Sequence, residues 1–120
     1  MQSADVSKLV RLELDRQADP GRRASLEALL ILPRKLSLAW DYGLPDERYD
    51  CWCVGRSADG NVLLVYCPQG FGPSFPWGFV FSETGSLGND GQWHSGLEDA
   101  ANSAGLLDAP AGYESPGPRE

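Results

Sequence analysis

Histidine and cysteine are the residue types in this chain best suited to nucleophilic or metal chemistry. The 120-residue sequence contains one histidine, His94, and three cysteines, Cys51, Cys53 and Cys67. His94 is therefore the only imidazole available as the base of a Ser-His-Asp or Cys-His mechanism. It lies just before a motif that predicts a helix N-terminus, where an exposed polar residue is expected, so we favour a structural role over a catalytic dyad.

The same four residues also make up the donor set of a Cys3His zinc site. Cys51 and Cys53 are separated by one residue within a predicted strand, and Cys67 follows fourteen positions later. This is not the spacing of a zinc knuckle. Free cysteine packs as a small apolar residue, and we find no export signal, so we expect three reduced core cysteines with no metal or cofactor.

Acidic residues crowd into one short segment of the chain. Within ten residues there are four carboxylates and one arginine: Asp41, Asp46, Glu47, Asp50 and Arg48. Paired carboxylates can act as general acid and base or hold a divalent cation, but this spacing is not that of an EF-hand loop. We expect a solvated acidic surface. A small hydrolase or metal-dependent enzyme that uses His94 and these acids is one alternative function.

Phosphate and nucleic-acid binding are disfavoured by motif and by charge. Gly70-Phe-Gly-Pro73 precedes a predicted strand and lacks a following Lys-Ser/Thr, so it builds no P-loop. The net charge of −7 is uneven. Residues 1–39 hold seven basic against five acidic residues (+2), whereas residues 40–120 hold three against twelve (−9). The aromatic-rich part is thus the acidic part, which repels phosphate and anionic lipid and attracts a basic partner.

Two amphipathic helices are predicted in the N-terminal third. The first covers residues 5–16, where four apolar residues share one stripe. These are Val6, Leu9, Val10 and Leu14. Asp19 followed by Pro20 predicts the start of the second helix, and Pro33 ends the helical pattern, so this helix spans about 20–31.

Beyond residue 35 the apolar period changes to two, which is typical of strands. Strands are predicted at 36–42, 48–56, 61–67 and 77–81. The turn signal Ala58-Asp-Gly-Asn61 joins the second and third strands as a hairpin. Val62–Tyr66 is apolar on both faces, as expected of an inner strand that is covered on both sides.

The remaining segments are short. Residues 68–76 predict a packed loop that contains Phe71 and Phe75. Ser95 and Glu98 match a capping box at the start of a short helix at 96–104. The fold class is therefore α+β, with about four mainly antiparallel strands, two N-terminal helices and one short C-terminal helix, or a more closed, barrel-like sheet. Residues 1–107 form one domain, and 108–120 a loose tail.

Several short motifs resemble those of small uncharacterised proteobacterial proteins, and more loosely the small acidic immunity proteins that accompany polymorphic toxins. The likeness covers about half of the chain. The motifs are Trp40-Asp-Tyr-Gly43, Tyr49-Asp-Cys-Trp52, Tyr66-Cys-Pro-Gln-Gly-Phe-Gly-Pro73, Pro76-Trp-Gly78, Leu87-Gly-Asn-Asp90, Trp93 and Leu97-Glu-Asp-Ala100. The resemblance implies a protein that neutralises a cognate toxin and carries over no catalytic residue.

A stoichiometric protein-binding protein, as an immunity protein would be, is the leading functional hypothesis. Its partner is a protein, such as a basic toxin domain, and not nucleic acid or membrane. The expected binding residues combine aromatic and acidic side chains. They are Trp40, Asp41, Tyr42, Asp46, Glu47, Tyr49, Asp50, Phe71 and Phe75. No apolar run is long enough to span a membrane and the N-terminal residues are polar, so we expect a cytoplasmic protein. A structural homodimeric domain is the other alternative.

Overall fold

The computed structural model describes residues 2–39, 48–68, 74–83, 87–88 and 90–107. Three helices are present in these ranges: α1 (Ser3–Asp15), α2 (Pro20–Leu29) and α3 (Leu97–Ser103). The strands are β1 (Leu30–Ala39), β2 (Arg48–Arg56), β3 (Val62–Tyr66), β4 (Trp77–Phe81) and β5 (Trp93–His94). A 3-10 turn at Asp90–Gln92 precedes β5.

The strands form a single antiparallel sheet in the order β1-β2-β3-β4-β5. The α+β class is confirmed, while the strand count is five in the described residues and not four. The additional strand, β5, has only two residues, which is too short for a period-two pattern to be recognised. No helix in these ranges is long and apolar enough to cross a membrane.

The junction between α2 and β1 differs from the prediction. The helix ends at Leu29 and the strand begins at once with Leu30, instead of a helix to residue 31 and a strand from 36. Pro33, which was expected only to stop the helix, lies inside β1 on the edge of the sheet, where its missing N–H costs no ladder bond. The pairing with β2 shifts in register between Leu30 and Arg34.

Gly55 allows the end of α2 to lie against the sheet. A Cβ at this position would be 2.8 Å from the carbonyl oxygen of Leu29 and 3.1 Å from Cδ1 of Leu64. The β2–β3 pairing also shifts between Cys53 and Gly55, which places a bulge beside this contact. The predicted hairpin turn is present, and Asp59 Oδ1 accepts hydrogen bonds from Ser57 Oγ and the Asn61 N–H at 2.6 and 3.0 Å.

Each face of the sheet packs into its own core cluster. The helix side combines residues of α1, α2 and α3 with the sheet: Val6, Val10, Leu14, Leu26, Val54, Leu64, Trp77, Leu97, Ala100 and Ala101. The opposite side contains Leu38, Cys51, Val65, Cys67, Val80, Leu87 and Trp93. Leu87 connects the two edge strands on that side, because its N–H donates to Ala39 and its carbonyl accepts from Trp93 Nε1, both at 2.8 Å.

Trp93 lies flat against a glycine on the adjacent strand. Gly78 is its cross-strand partner, and a Cβ at Gly78 would be only 2.5 Å from Cδ2 of the Trp93 ring. The absence of a side chain at Gly78 therefore makes room for the indole. The three cysteines are free and buried, as predicted for core residues.

The start of α3 is capped from another helix. The predicted capping box at Ser95 and Glu98 is wrong, since the N-cap is Gly96 and no local side chain bonds to it. Instead, the Leu97 N–H donates to Glu13 Oε1 of α1 at 2.8 Å. By contrast, the predicted N-cap of α2 is confirmed, because Asp19 Oδ2 accepts from the Arg22 N–H at 2.8 Å.

Glu98 is used to join α3 to α2. The guanidinium of Arg22 is almost fully buried, with a side-chain exposure of 8%, and donates to Glu98 Oε1 at 3.1 Å and to Asn102 Oδ1 at 3.2 Å. Gln17 also donates to Glu98. Because a buried charge is costly unless it is paired, this network fixes the position of α3 against the first two helices.

Candidate functional site

One row of side chains crosses the whole sheet on its helix side. Lys35 pairs with Trp52, Trp52 with Tyr66, Tyr66 with Trp77, and Trp77 with His94, so each residue directly faces the next one. Paired residues of an antiparallel sheet point to the same face. The row therefore aligns a cation, three aromatic rings and an imidazole across five strands.

Two contacts within this row involve its aromatic rings, and Trp77 is the most buried of the three rings. Lys35 Nζ lies 5.9 Å from the Trp52 ring centroid, within the range of a cation–π interaction. The Tyr66 and Trp77 ring centroids are 4.7 Å apart, with planes inclined by 51°. Trp77 is 4% exposed, whereas Trp52 and Tyr66 are partly exposed. Burial, together with the nearby Cys67, raises the pKa of Tyr66 above its ordinary value.

The helices leave part of this side of the sheet accessible. We call this surface the open face. Its six residues come from β1, β2 and β3: Lys35, Ser37, Arg48, Asp50, Trp52 and Tyr66. The first four are exposed. The Arg48 guanidinium is held in place, since it donates to the hydroxyl and the carbonyl of Ser37 at 2.9 Å each.

The open face includes only part of the binding set predicted from sequence. Asp50 belongs to it and lies opposite Ser37. The neighbouring Tyr49 points to the other side and packs against the cluster that contains Leu38. Phe75 is half exposed in the segment before β4. Six predicted residues lie outside the described ranges: Trp40, Asp41, Tyr42, Asp46, Glu47 and Phe71.

Sequence reasoning missed several residues of the open face. Five of its six residues were not among the predicted binding residues: Lys35, Ser37, Arg48, Trp52 and Tyr66. The period-two spacing of Arg48, Asp50 and Trp52 does place them on one face, and it was the available signal. The contributions of β1 and β3 depend on strand register, which the sequence pattern does not fix here.

His94 occupies the end of the row and is not grouped with acids in the described residues. It lies on β5, while Asp50 lies on β2, three strands away. Its Nε2 atom is buried and makes no hydrogen bond within the described part of the chain. Among the same residues, no cluster of three His, Cys, Asp or Glu side chains has the arrangement of a metal site.

A separate groove of mixed polar and apolar lining lies between α1 and the start of β1. Its volume is about 270 Å³, and its lining includes Val10, Leu14 and Ile31 with Arg11 and Glu27. At its rim, Leu32 is 86% exposed in the irregular part of β1.

The three helices and the five-stranded antiparallel sheet place the described chain in the α+β class. No family model, curated protein or solved structure matches the chain. The open face and the charge distribution are therefore the observations that bear on function.

Proposed function

We propose that this protein is a stoichiometric protein-binding protein of the cytoplasm and that the open face contacts its partner. The observation that carries the proposal is the partly exposed pair Trp52 and Tyr66, flanked by exposed Lys35 and Asp50. Protein interfaces are enriched in Trp, Tyr and Arg, and their energetic centres are aromatic rings surrounded by polar residues.

The aromatic rings of the open face are also preorganised for binding. Trp52 and Tyr66 are directly opposed on paired strands, and Tyr66 packs on the buried ring of Trp77. Rings fixed by a sheet lose little conformational entropy when they bind, so more of their contact energy contributes to affinity. Such a surface suits a folded protein partner.

A basic toxin domain is the partner that we propose, and the protein would then be its immunity protein. The open face itself carries Lys35 and Arg48 against Asp50, so the support for a basic partner comes from the net charge of −7 of the whole chain. The segment between Ala39 and Arg48 carries Asp41, Asp46 and Glu47; its two flanking residues pair with each other, and Arg48 belongs to the open face. The resemblance of the chain's motifs to immunity proteins agrees with this proposal.

Affinity capture with matched variants tests the proposal. Tagged wild-type protein, Asp50→Lys and Glu83→Lys are used as baits in a lysate of the native host. Both variants change the charge by the same amount, but Glu83 is exposed beyond the end of β4, away from the open face. We expect one protein to be captured by wild type and Glu83→Lys and to be depleted with Asp50→Lys.

The affinity of the complex and the toxicity of the captured partner are measured next. A complex of one copy of each chain is expected, and Trp52→Ala should weaken it by about 2 kcal/mol, or about thirtyfold in Kd. Co-expression of the wild type should restore growth to cells that express the partner. Co-expression of the double variant that carries both Asp50→Lys and Trp52→Ala should not restore growth. Equal capture and equal protection by all variants would refute a role of the open face. Captured proteins without toxicity would refute the immunity assignment alone.

The exposed Leu32 favours the homodimeric domain as a second candidate. Leu32 borders the α1–β1 groove, whose volume exceeds that of a leucine side chain. Sedimentation velocity over a wide concentration range tests it, with Leu32→Asp as the disrupting variant. Leu12, which is 60% exposed on α1, gives the control Leu12→Asp. A monomer at all concentrations would exclude this candidate.

A further inference from the structure

Two of the buried cysteines face each other across neighbouring strands. Trp52 and Tyr66 are paired between the antiparallel strands β2 and β3. Continuing this register, Cys51, one residue before Trp52, lies opposite Cys67, one residue after Tyr66. The Cys67 N–H donates to the Pro76 carbonyl at 2.8 Å, so its backbone bonds toward β4 and not toward β2. Cys51 and Cys67 therefore form a non-hydrogen-bonded pair, in which Cα atoms are typically about 4.5 Å apart.

The thiols of this pair donate to neighbouring carbonyls of β2, Cys51 Sγ to Tyr49 at 3.4 Å and Cys67 Sγ to Asp50 at 3.9 Å. The neighbouring Cys67 thiol, together with burial, raises the pKa of Cys51. Both residues are 0% exposed. The separation typical of such pairs lies within the Cα range of native disulfides, about 4.4–6.8 Å.

We propose that Cys51 and Cys67 are a redox modification site that closes to a cross-strand disulfide. The oxidant is a small-molecule disulfide such as glutathione disulfide. One protein thiol, as thiolate, attacks it and releases one small thiol, and the second protein thiol then attacks the mixed disulfide and releases another. Two protein thiols and one small disulfide thus become one protein disulfide and two small thiols, with two electrons transferred.

Burial determines when this exchange takes place. The folded protein shields both sulfur atoms and keeps the Cys51 thiol protonated, so the exchange requires the chain to be folding or locally open. Once formed, the bond is shielded from reductants in the same way. It would join β2 to β3 directly beside Trp52 and Tyr66, and so would fix the two strands that present the aromatic pair of the open face.

Cys53 is the control that the chain itself provides. It is also 0% exposed and also lies on β2, two residues from Cys51, but its cross-strand partner is Val65. Its thiol donates to the Gly55 carbonyl on its own strand at 3.5 Å. A disulfide selected by the fold should therefore exclude Cys53, whereas random oxidation should include it.

Oxidative refolding tests the proposal. The full chain is denatured under reducing conditions and refolded with glutathione and glutathione disulfide, and its intact mass and disulfide-linked peptides are measured. We expect a product about 2 Da lighter than the reduced protein, linked only between Cys51 and Cys67. Closing this loop of 15 intervening residues should raise the Tm by about 10 °C over that of the reduced protein.

Variants check the assignment. Cys53→Ala should give the same linked peptide, and Cys67→Ala should give none. Refolded wild type that stays reduced, or that contains only glutathione adducts, would overturn the proposal. A linked peptide that includes Cys53 would also overturn it, and this result is read from the wild type even if a variant does not fold.

Discussion

Trp52 and Trp77 belong to the same row but should differ sharply when replaced by alanine. Trp77 is 4% exposed and Trp52 partly exposed, so burial is the main difference between them. Burying a large aromatic side chain removes about 200 Å² from water, worth about 5 kcal/mol at about 25 cal/mol per Å². Trp→Ala substitutions in cores cost about 3–5 kcal/mol.

We therefore expect Trp77→Ala to lower the free energy of unfolding by about 4 kcal/mol, and Trp52→Ala by about 2 kcal/mol. Urea unfolding followed by far-ultraviolet circular dichroism measures both, and an unchanged m-value shows that the transition is comparable. The total free energy of unfolding of a domain is only about 5–15 kcal/mol, so Trp77→Ala could prevent folding. Trp77→Phe, which should lower the free energy of unfolding by about 1–2 kcal/mol, is then measured instead.

The order of the two losses is the decisive result. An equal loss at both positions, or a larger loss for Trp52→Ala, would show that Trp52 belongs to the core and would remove it from the open face. In the binding assay the order should be reversed for folded variants, because only Trp52 offers exposed ring surface to a partner.

Three further outcomes are expected. Gly78→Ala should lower the free energy of unfolding in urea by about 2 kcal/mol, because its Cβ would meet the Trp93 ring. In a Trp93→Ala background the same substitution should have almost no effect, and an equal loss in both backgrounds would exclude the clash. Glu13→Ala should lower the free energy of unfolding by about 1 kcal/mol, because the start of α3 is then uncapped. Glu13→Gln keeps an acceptor oxygen and should lower it clearly less, and equal losses for the two variants would exclude this cap. The hydrogen bonds from the Ser57 hydroxyl and the Asn61 N–H hold the pKa of Asp59 below its ordinary value. The stabilisation that ionised Asp59 provides should therefore be lost as pH falls through that lowered pKa. An NMR titration should show a higher Asp59 pKa in Ser57→Ala than in the wild type, and an unchanged pKa would contradict the assignment.

Local patterns in the sequence were sufficient for much of the fold. The start of α2 at Asp19 and Pro20, the turn after Ser57 and the alternation of β2 were predicted because each depends on residues close in sequence. The start of β1 was not predicted, because an apolar run such as residues 29–32 suits a helix or a strand. Its strand conformation goes with the pairing to β2 and the close approach at Gly55, which involve residues distant in sequence.

The open face was harder to predict because it depends on distant pairings. It requires the β1–β2 and β2–β3 registers, and the bulge between Cys53 and Gly55 shifts the second of them. The cap of α3 was missed for the same reason, since Glu13 is 84 residues from Leu97. The acidic and aromatic character of the region around Asp50 was visible, but which of these side chains share a surface was not.

The capping of α3 by Glu13 also bears on how the chain is assembled during synthesis. A helix of seven residues is not stable by itself in water. Its first N–H and its Glu98 are bonded by side chains of α1 and α2, which leave the ribosome long before it does. We therefore expect the α3 segment to become stably helical only when α1, α2 and the sheet strands that it packs against are in place, so α3 should form late in folding.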